Sequence, residues 1–179
     1  LKFIRNMAIL AILIAVALNI NPILKSVLPY DYSNYITKYS QAYDVDPVLV
    51  SAVIKAESNF DPDALSSKGA YGLMQITPET AHWAAQKMGI HDFSTEDLSD
   101  PATNIMIGCW YLHNLMDEFN NQELALAAYN AGRGNVEKWL SNPEYSDDKM
   151  TLKKIPFKET ENYVKRVEIY YKLYKILYY

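Results

Sequence analysis

The chain has 179 residues, half of them hydrophobic and 21% charged, which fits one globular domain with a core of its own plus a short appendage. Its net charge of −4 and pI near 5.4 argue against nucleic acid as the main partner, because a phosphate-binding surface shows as a basic excess. A single cysteine, Cys109, excludes an intramolecular disulfide, so the fold must stand on its core.

In chain order, the first object is separate from the rest. Lys2 and Arg5 precede "MAILAILIAVAL", an apolar run from Met7 to Leu18. A cleaved signal peptide fits the basic start, the short run and the small-x-small triplet Ala15-Val16-Ala17. An uncleaved anchor also fits: the run is short of the roughly 20 residues that span a bilayer, but counting from Phe3 through Ile23 or Leu24 makes it long enough. The anchor is the preferred reading, with the basic end in the cytoplasm. Either reading puts the remainder outside the plasma membrane, cell-surface or secreted. No cysteine follows the run to carry a lipid. The expected division is 1–29 for this segment and 30–179 for the domain.

From Tyr30 onward the signals are helical. Asp46-Pro47, Thr77-Pro78 and Asp100-Pro101 each combine an N-cap side chain with proline at the first helical position. They open "VLVSAVIKAE", "ETAHWAAQKM" (closed by Gly89) and "ATNIMIGCWYLHNLMDEF". "QELALAAYN" ends near Gly132, "VEKWL" is a short helix, and "ETENYVKRVEIYYKLYKIL" is a long amphipathic one. Loops are expected at 58–76, 89–99 and 141–158, the last carrying a polar, mobile "NPEYSDDK". No strand alternation and no internal repeat is visible, so the fold class is all-α.

Most chemistry-bearing side chains have an ordinary explanation. Cys109 and His113 lie four apart on one helical face, but nothing supplies further ligands at a useful spacing, and no metal or other cofactor is expected. "GRGN" lacks the preceding strand of a phosphate cradle. Most tyrosines of the last helix fit core packing. Glu57 differs. It closes an apolar helix, where the macrodipole disfavours a carboxylate, and partial burial would raise its pKa further, leaving a proton available near neutrality. Neutral hydrogen bonders stand nearby or far along the chain: Ser58, Ser66, Gln75, Asn130 and Tyr163.

"ES" at Glu57-Ser58, "GLMQ" at Gly72–Gln75, "AYN" at Ala128–Asn130 and "ETENYVKRV" at Glu159–Val167 resemble, in order, the motifs of the lytic transglycosylases, the soluble-type catalytic domain of glycoside hydrolase family 23. Ser66 and Gly69 fall where that family has a loop serine and glycine. The resemblance runs from about residue 33 to 174. It implies a lysozyme-like helical fold, related to goose-type lysozyme, that acts on peptidoglycan strands; a monomer is expected, and the N-terminal segment read above is what would reach the membrane. The implied reaction cleaves the β-1,4 bond between N-acetylmuramic acid and N-acetylglucosamine and closes a 1,6-anhydro ring, with Glu57 as acid and then base.

The resemblance also assigns the supporting roles. Ser66 and Tyr163 would bind the acetamido group, Gln75 and Asn130 the glycan or Glu57 itself. Gly72 would permit close backbone approach, Met74 and Tyr129 would contact sugar rings or wall the site, and Ser58 would fix the helix end. Two alternatives stay open: a hydrolase in which Asp61 or Asp63 is the second carboxylate, and a wall-binding module without activity.

Overall fold

The computed structural model describes residues 24–178, together with positions 2, 5–7, 9 and 22. The expected anchor or signal run thus lies largely outside the described residues. Among these, no helix is long and apolar enough to cross a membrane. No strand forms among them either; the only ladder-like contacts are isolated bridges, Leu65 with Tyr71 and Tyr71 with Ile76.

The helices are α1 (Ser33–Ala42), α2 (Pro47–Glu57), α3 (Pro78–Met88), α4 (Pro101–Phe119), α5 (Gln122–Ala131), α6 (Arg133–Ser141) and α7 (Lys158–Tyr178). Three begin where proline follows a capping side chain. Asp46 accepts from the Val48 N–H at 2.8 Å, Thr77 from Thr80 at 3.2 Å and Asp100 from Thr103 at 2.9 Å. Gly89, at φ 74°, closes α3.

Two segments differ from expectation. The 89–99 loop contains a 3-10 turn, Thr95–Ser99, held by a capping box between Ser94 and Asp97. The segment expected to be mobile is stitched by Asp148, whose carboxylate accepts from the Met150 and Thr151 N–H groups and the Thr151 hydroxyl, each at 2.8 Å. Those bonds favour the ionised form and hold its pKa down at about 2.

The core has one centre. Every residue of α2 from Val48 to Ile54 is buried, because the helix is covered by α7 on one side and α1 on another. α4 packs on α5 and α1, and α5 also meets α6 and α7. A helix enclosed on most of its circumference reads as apolar all round. Its last turn, carrying Lys55, Ala56, Glu57 and Ser58, is where burial becomes partial, and there the site begins.

Candidate active site

Glu57 is the last residue of α2. Ser58 caps the helix through its N–H to the Ile54 carbonyl at 3.0 Å, and its Oγ donates to the Leu73 carbonyl at 2.8 Å. The serine hydroxyl therefore ties the helix terminus to the returning limb of the 58–76 loop.

That loop is strained. Asn59, Phe60 and Gln75 adopt left-handed φ of 56°, 66° and 49°, each costing on the order of 1–3 kcal/mol without glycine's freedom. What holds it is a set of side-chain bonds to backbone. Gln75 Nε2 donates to the carbonyls of Ala64 and Gly72, both at 3.0 Å. Ser66 Oγ accepts from the Ala70 N–H at 3.0 Å and the Lys68 N–H at 3.3 Å.

Asn104 of α4, 1% exposed, supplies the other half. Its Oδ1 accepts from the Met74 N–H at 2.9 Å, and its Nδ2 donates to the carbonyls of Tyr71 and Leu98 at 2.9 and 3.0 Å. Gly72 sits against this amide at φ 68°; a Cβ there would lie 2.5 Å from Asn104 Nδ2 and 3.1 Å from the Leu98 carbonyl. One turn further along α4, Gly108 makes room for Met74: a Cβ would stand 2.3 Å from its Sδ.

Ser66, Gln75, Tyr129 and Asn130 share with Glu57 a cleft of about 290 Å³, with Lys68 and Glu159 also on its walls. A neighbouring hollow of about 300 Å³ shares Lys68, Gln75, Thr77, Tyr129 and Asn130 and continues to Tyr111. A third, of about 410 Å³, shares Thr80, Tyr111 and Gly132 and ends at Trp83 and Arg133. Together they make a groove along the domain with Glu57 at one end. Tyr129 donates from its hydroxyl to the Met74 carbonyl at 2.8 Å, so its ring is fixed where it walls the cleft. Asn130 Oδ1 accepts from the buried Thr160 hydroxyl at 2.8 Å.

Three expected substrate contacts need correction in position. Met74 is fully buried, Gly72 is buried behind the turn and Tyr163 is 1% exposed; none lines the cleft. Met74 is directed into α4 because Gly108 leaves the space, and Gly72 serves the close packing of the turn on Asn104. Tyr163 lies behind the cleft wall and faces Glu57. Its hydroxyl lowers the Glu57 pKa, yet it closes no hydrogen bond of standard geometry. Among the described residues it is the buried side-chain polar atom left without a partner.

Burial dominates the electrostatics. It pushes the Glu57 carboxyl up to about 7, against smaller lowering effects from Tyr163 and the Arg166 guanidinium. The phenols of Tyr129 and Tyr163 are pushed well up as well, by burial first and by the neighbouring carboxylate second. Asp61 and Asp63, the second carboxylates of the hydrolase alternative, are exposed and do not line the cleft; Asp61 accepts from the Asp63 N–H at 3.0 Å as turn chemistry. The carboxylate that does share the cleft is Glu159, near the start of α7. Sequence reasoning assigned no role to Asn104, Thr160 or Glu159. Asn104 left a trace as a polar residue inside the apolar pattern of α4, and Glu159 and Thr160 only as the first two letters of the ETENYVKRV motif.

The sequence profile of the transglycosylase SLT domain matches residues 34–152. A soluble lytic murein transglycosylase of Salmonella typhimurium is 39% identical over 150 residues, covering 82% of this chain and 23% of the relative. A membrane-bound lytic murein transglycosylase C of Haemophilus influenzae is 34% identical over 122 residues, 62% of this chain and 34% of the relative. Among solved structures, the 70 kDa soluble lytic transglycosylase of Escherichia coli superposes with a TM-score of 0.75 at 34% identity, over 86% of this chain and 25% of that one. An inactive mutant of the lytic transglycosylase Slt from Pseudomonas aeruginosa gives 0.75 at 33% identity over the same shares. The chain spans about a quarter of the length of the soluble relatives it matches. It belongs to the transglycosylase SLT domain family.

Proposed function

We propose that this domain is a lytic transglycosylase that cleaves the β-1,4 bond between N-acetylmuramic acid and N-acetylglucosamine in peptidoglycan and leaves a 1,6-anhydro end. The observation that carries the reading is one partly buried carboxyl, Glu57, at the end of an open groove, with its pKa raised to about 7. A general acid works best with a pKa near the operating pH. Most glycoside hydrolysis needs two carboxylates; an intramolecular route needs one.

Glu57 protonates the glycosidic oxygen as the bond to C1 breaks, with the substrate's own 2-acetamido group supporting the positive charge that develops there. The ionised Glu57 then faces the Tyr163 hydroxyl and the Arg166 charge, both of which favour the carboxylate, so the intermediate is held without a second acid. It next takes the proton of the C6 hydroxyl as that oxygen closes on C1, which restores the starting state. Ser66, Gln75 and Asn130, whose bonds to the loop backbone and to Thr160 fix them on the cleft wall, hold the sugars over Glu57. The groove towards Tyr111 and Trp83 takes the rest of the strand, with aromatic faces suited to sugar rings. Such a substrate lies outside the cytoplasm, in keeping with a secreted or membrane-tethered domain.

A hydrolase reading keeps one foothold, Glu159, a second carboxylate on the same cleft that could activate water. Mass spectrometry of digested peptidoglycan separates the two: anhydro ends are expected, and reducing ends would replace them in a hydrolase. Glu57→Gln is expected to fold normally and to lose release by about a thousandfold or more, the upper range for general acid–base catalysis. Substantial residual release would overturn the assignment.

A further inference from the structure

We propose that the outward face of α7 rests on the surface of an anionic lipid bilayer, next to the point where the apolar N-terminal run enters it. The inner face of α7 is accounted for, since Tyr163, Val164, Val167 and Tyr174 are buried in the core. On the opposite face Ile169, Leu173 and Ile176 are 56%, 37% and 83% exposed. Spacings of four and three residues set them one above another as a stripe. Exposed aliphatic stripes of this kind mark interaction surfaces.

Charge and chain path say what covers it. Lys165 is taken up by an ion pair with Glu161 and Arg166 lies toward Tyr163 and Glu57, but from Ile169 to Tyr178 the helix carries Lys172 and Lys175 and no acid, although the chain as a whole carries −4. An apolar stripe edged by lysines is the pattern of a helix lying in a lipid interface, where cations are attracted to anionic headgroups. The chain also delivers this helix to a membrane. Tyr174 and Tyr178 donate from their hydroxyls to the Pro29 and Leu28 carbonyls at 2.7 and 2.6 Å. Lys25 lies 5.5 Å from the Tyr178 ring, and Leu28 is 2% exposed.

The stretch just after the apolar run is therefore strapped to the C-terminal half of α7. The chain takes seven steps from Leu18 to Lys25 and reaches about 25 Å at most, so a membrane holding the run lies within that distance of Lys25, at the Tyr178 end of α7. A tethered surface needs little affinity of its own, since the tether sets a high effective concentration. The inference rests on the N-terminal run residing in a bilayer and is independent of the chemistry assigned to Glu57.

The test uses the full chain reconstituted in vesicles, with an environment-sensitive fluorophore attached through Ile176→Cys or, as a control on α6, through Glu137→Cys. Both sites are exposed, and Cys109 is fully buried. With phosphatidylglycerol in the vesicles, doxyl-labelled lipid is expected to quench the probe at 176 about threefold or more above the control. Lys172→Glu with Lys175→Glu, both exposed, is expected to abolish the difference, with circular dichroism unchanged. Equal quenching at the two sites would overturn the proposal. So would a blue shift at 176 that follows protein density without lipid quenching, which would mean a second copy covers the stripe.

Discussion

Glu57 holds its proton to about pH 7 because burial penalises its charged form, whereas an unperturbed glutamate ionises near 4.5. Between these values the folded state keeps a proton that the unfolded state has released, so stability falls as pH rises through that window and is lowest above it. The loss sums to roughly 3 kcal/mol. Glu57→Gln has no such proton, so its urea-unfolding stability is expected to be flatter between pH 4.5 and 8 and to exceed wild type at the alkaline end; parallel profiles would contradict this. Activity follows the same group with a different readout. The acid form does the first chemistry, so kcat/KM is expected to decline above about pH 7. Tyr163→Phe removes a hydroxyl that lowers the Glu57 pKa and should move that limb to higher pH, which a pH–rate profile checks. Glu57 was legible in the sequence because a carboxylate at the end of an apolar helix is conspicuous. The depth of Tyr163 was not, since one tyrosine among many on an amphipathic helix carries no mark of which cavity it faces.

At the scale of elements, the site depends on a turn, 71–76, seated on one face of α4. Gly72→Ala places a Cβ 2.5 Å from a side chain that already makes three bonds to backbone, at a left-handed φ. Strain and displacement together are expected to cost about 2–4 kcal/mol, seen as a lower urea midpoint. Asn104→Leu leaves the Met74 N–H and the Tyr71 and Leu98 carbonyls without that partner and should cost a similar amount. Both variants are expected to lose activity beyond their loss of folded fraction, because Ser58, Gln75 and Tyr129 all bond to carbonyls of this turn or its flank. The starts of α2, α3 and α4 could be read from the sequence because proline after a capping residue acts locally. The 3-10 turn and the Asp148 knot could not, because polar loop composition looks the same whether its hydrogen bonds go to water or to the chain. The bond from Asn104 spans 30 residues, and no local pattern encodes it.

At the scale of the molecule, a buried α2 delivers one acid to the end of a groove walled by residues from the 58–76 loop, α5 and α7. All-α architecture and the order of motifs were legible because periodicity and short motifs lie along the chain. The groove was not, because it is made by bringing Glu57, Tyr129 and Glu159 together across about a hundred residues. Its far end makes a prediction of its own. Trp83 sits under the Arg133 guanidinium, 4.6 Å from ring centre to charge, so Trp83→Ala is expected to raise KM for long glycan strands several-fold while leaving short fragments nearly unchanged. The most direct test of the whole is digestion of peptidoglycan in water enriched in oxygen-18, followed by mass analysis of the new muramic ends. If Glu57 regains its proton from the C6 hydroxyl, the ends are anhydro sugars that carry no heavy oxygen; heavy oxygen at C1 of those ends would contradict the single-carboxyl mechanism.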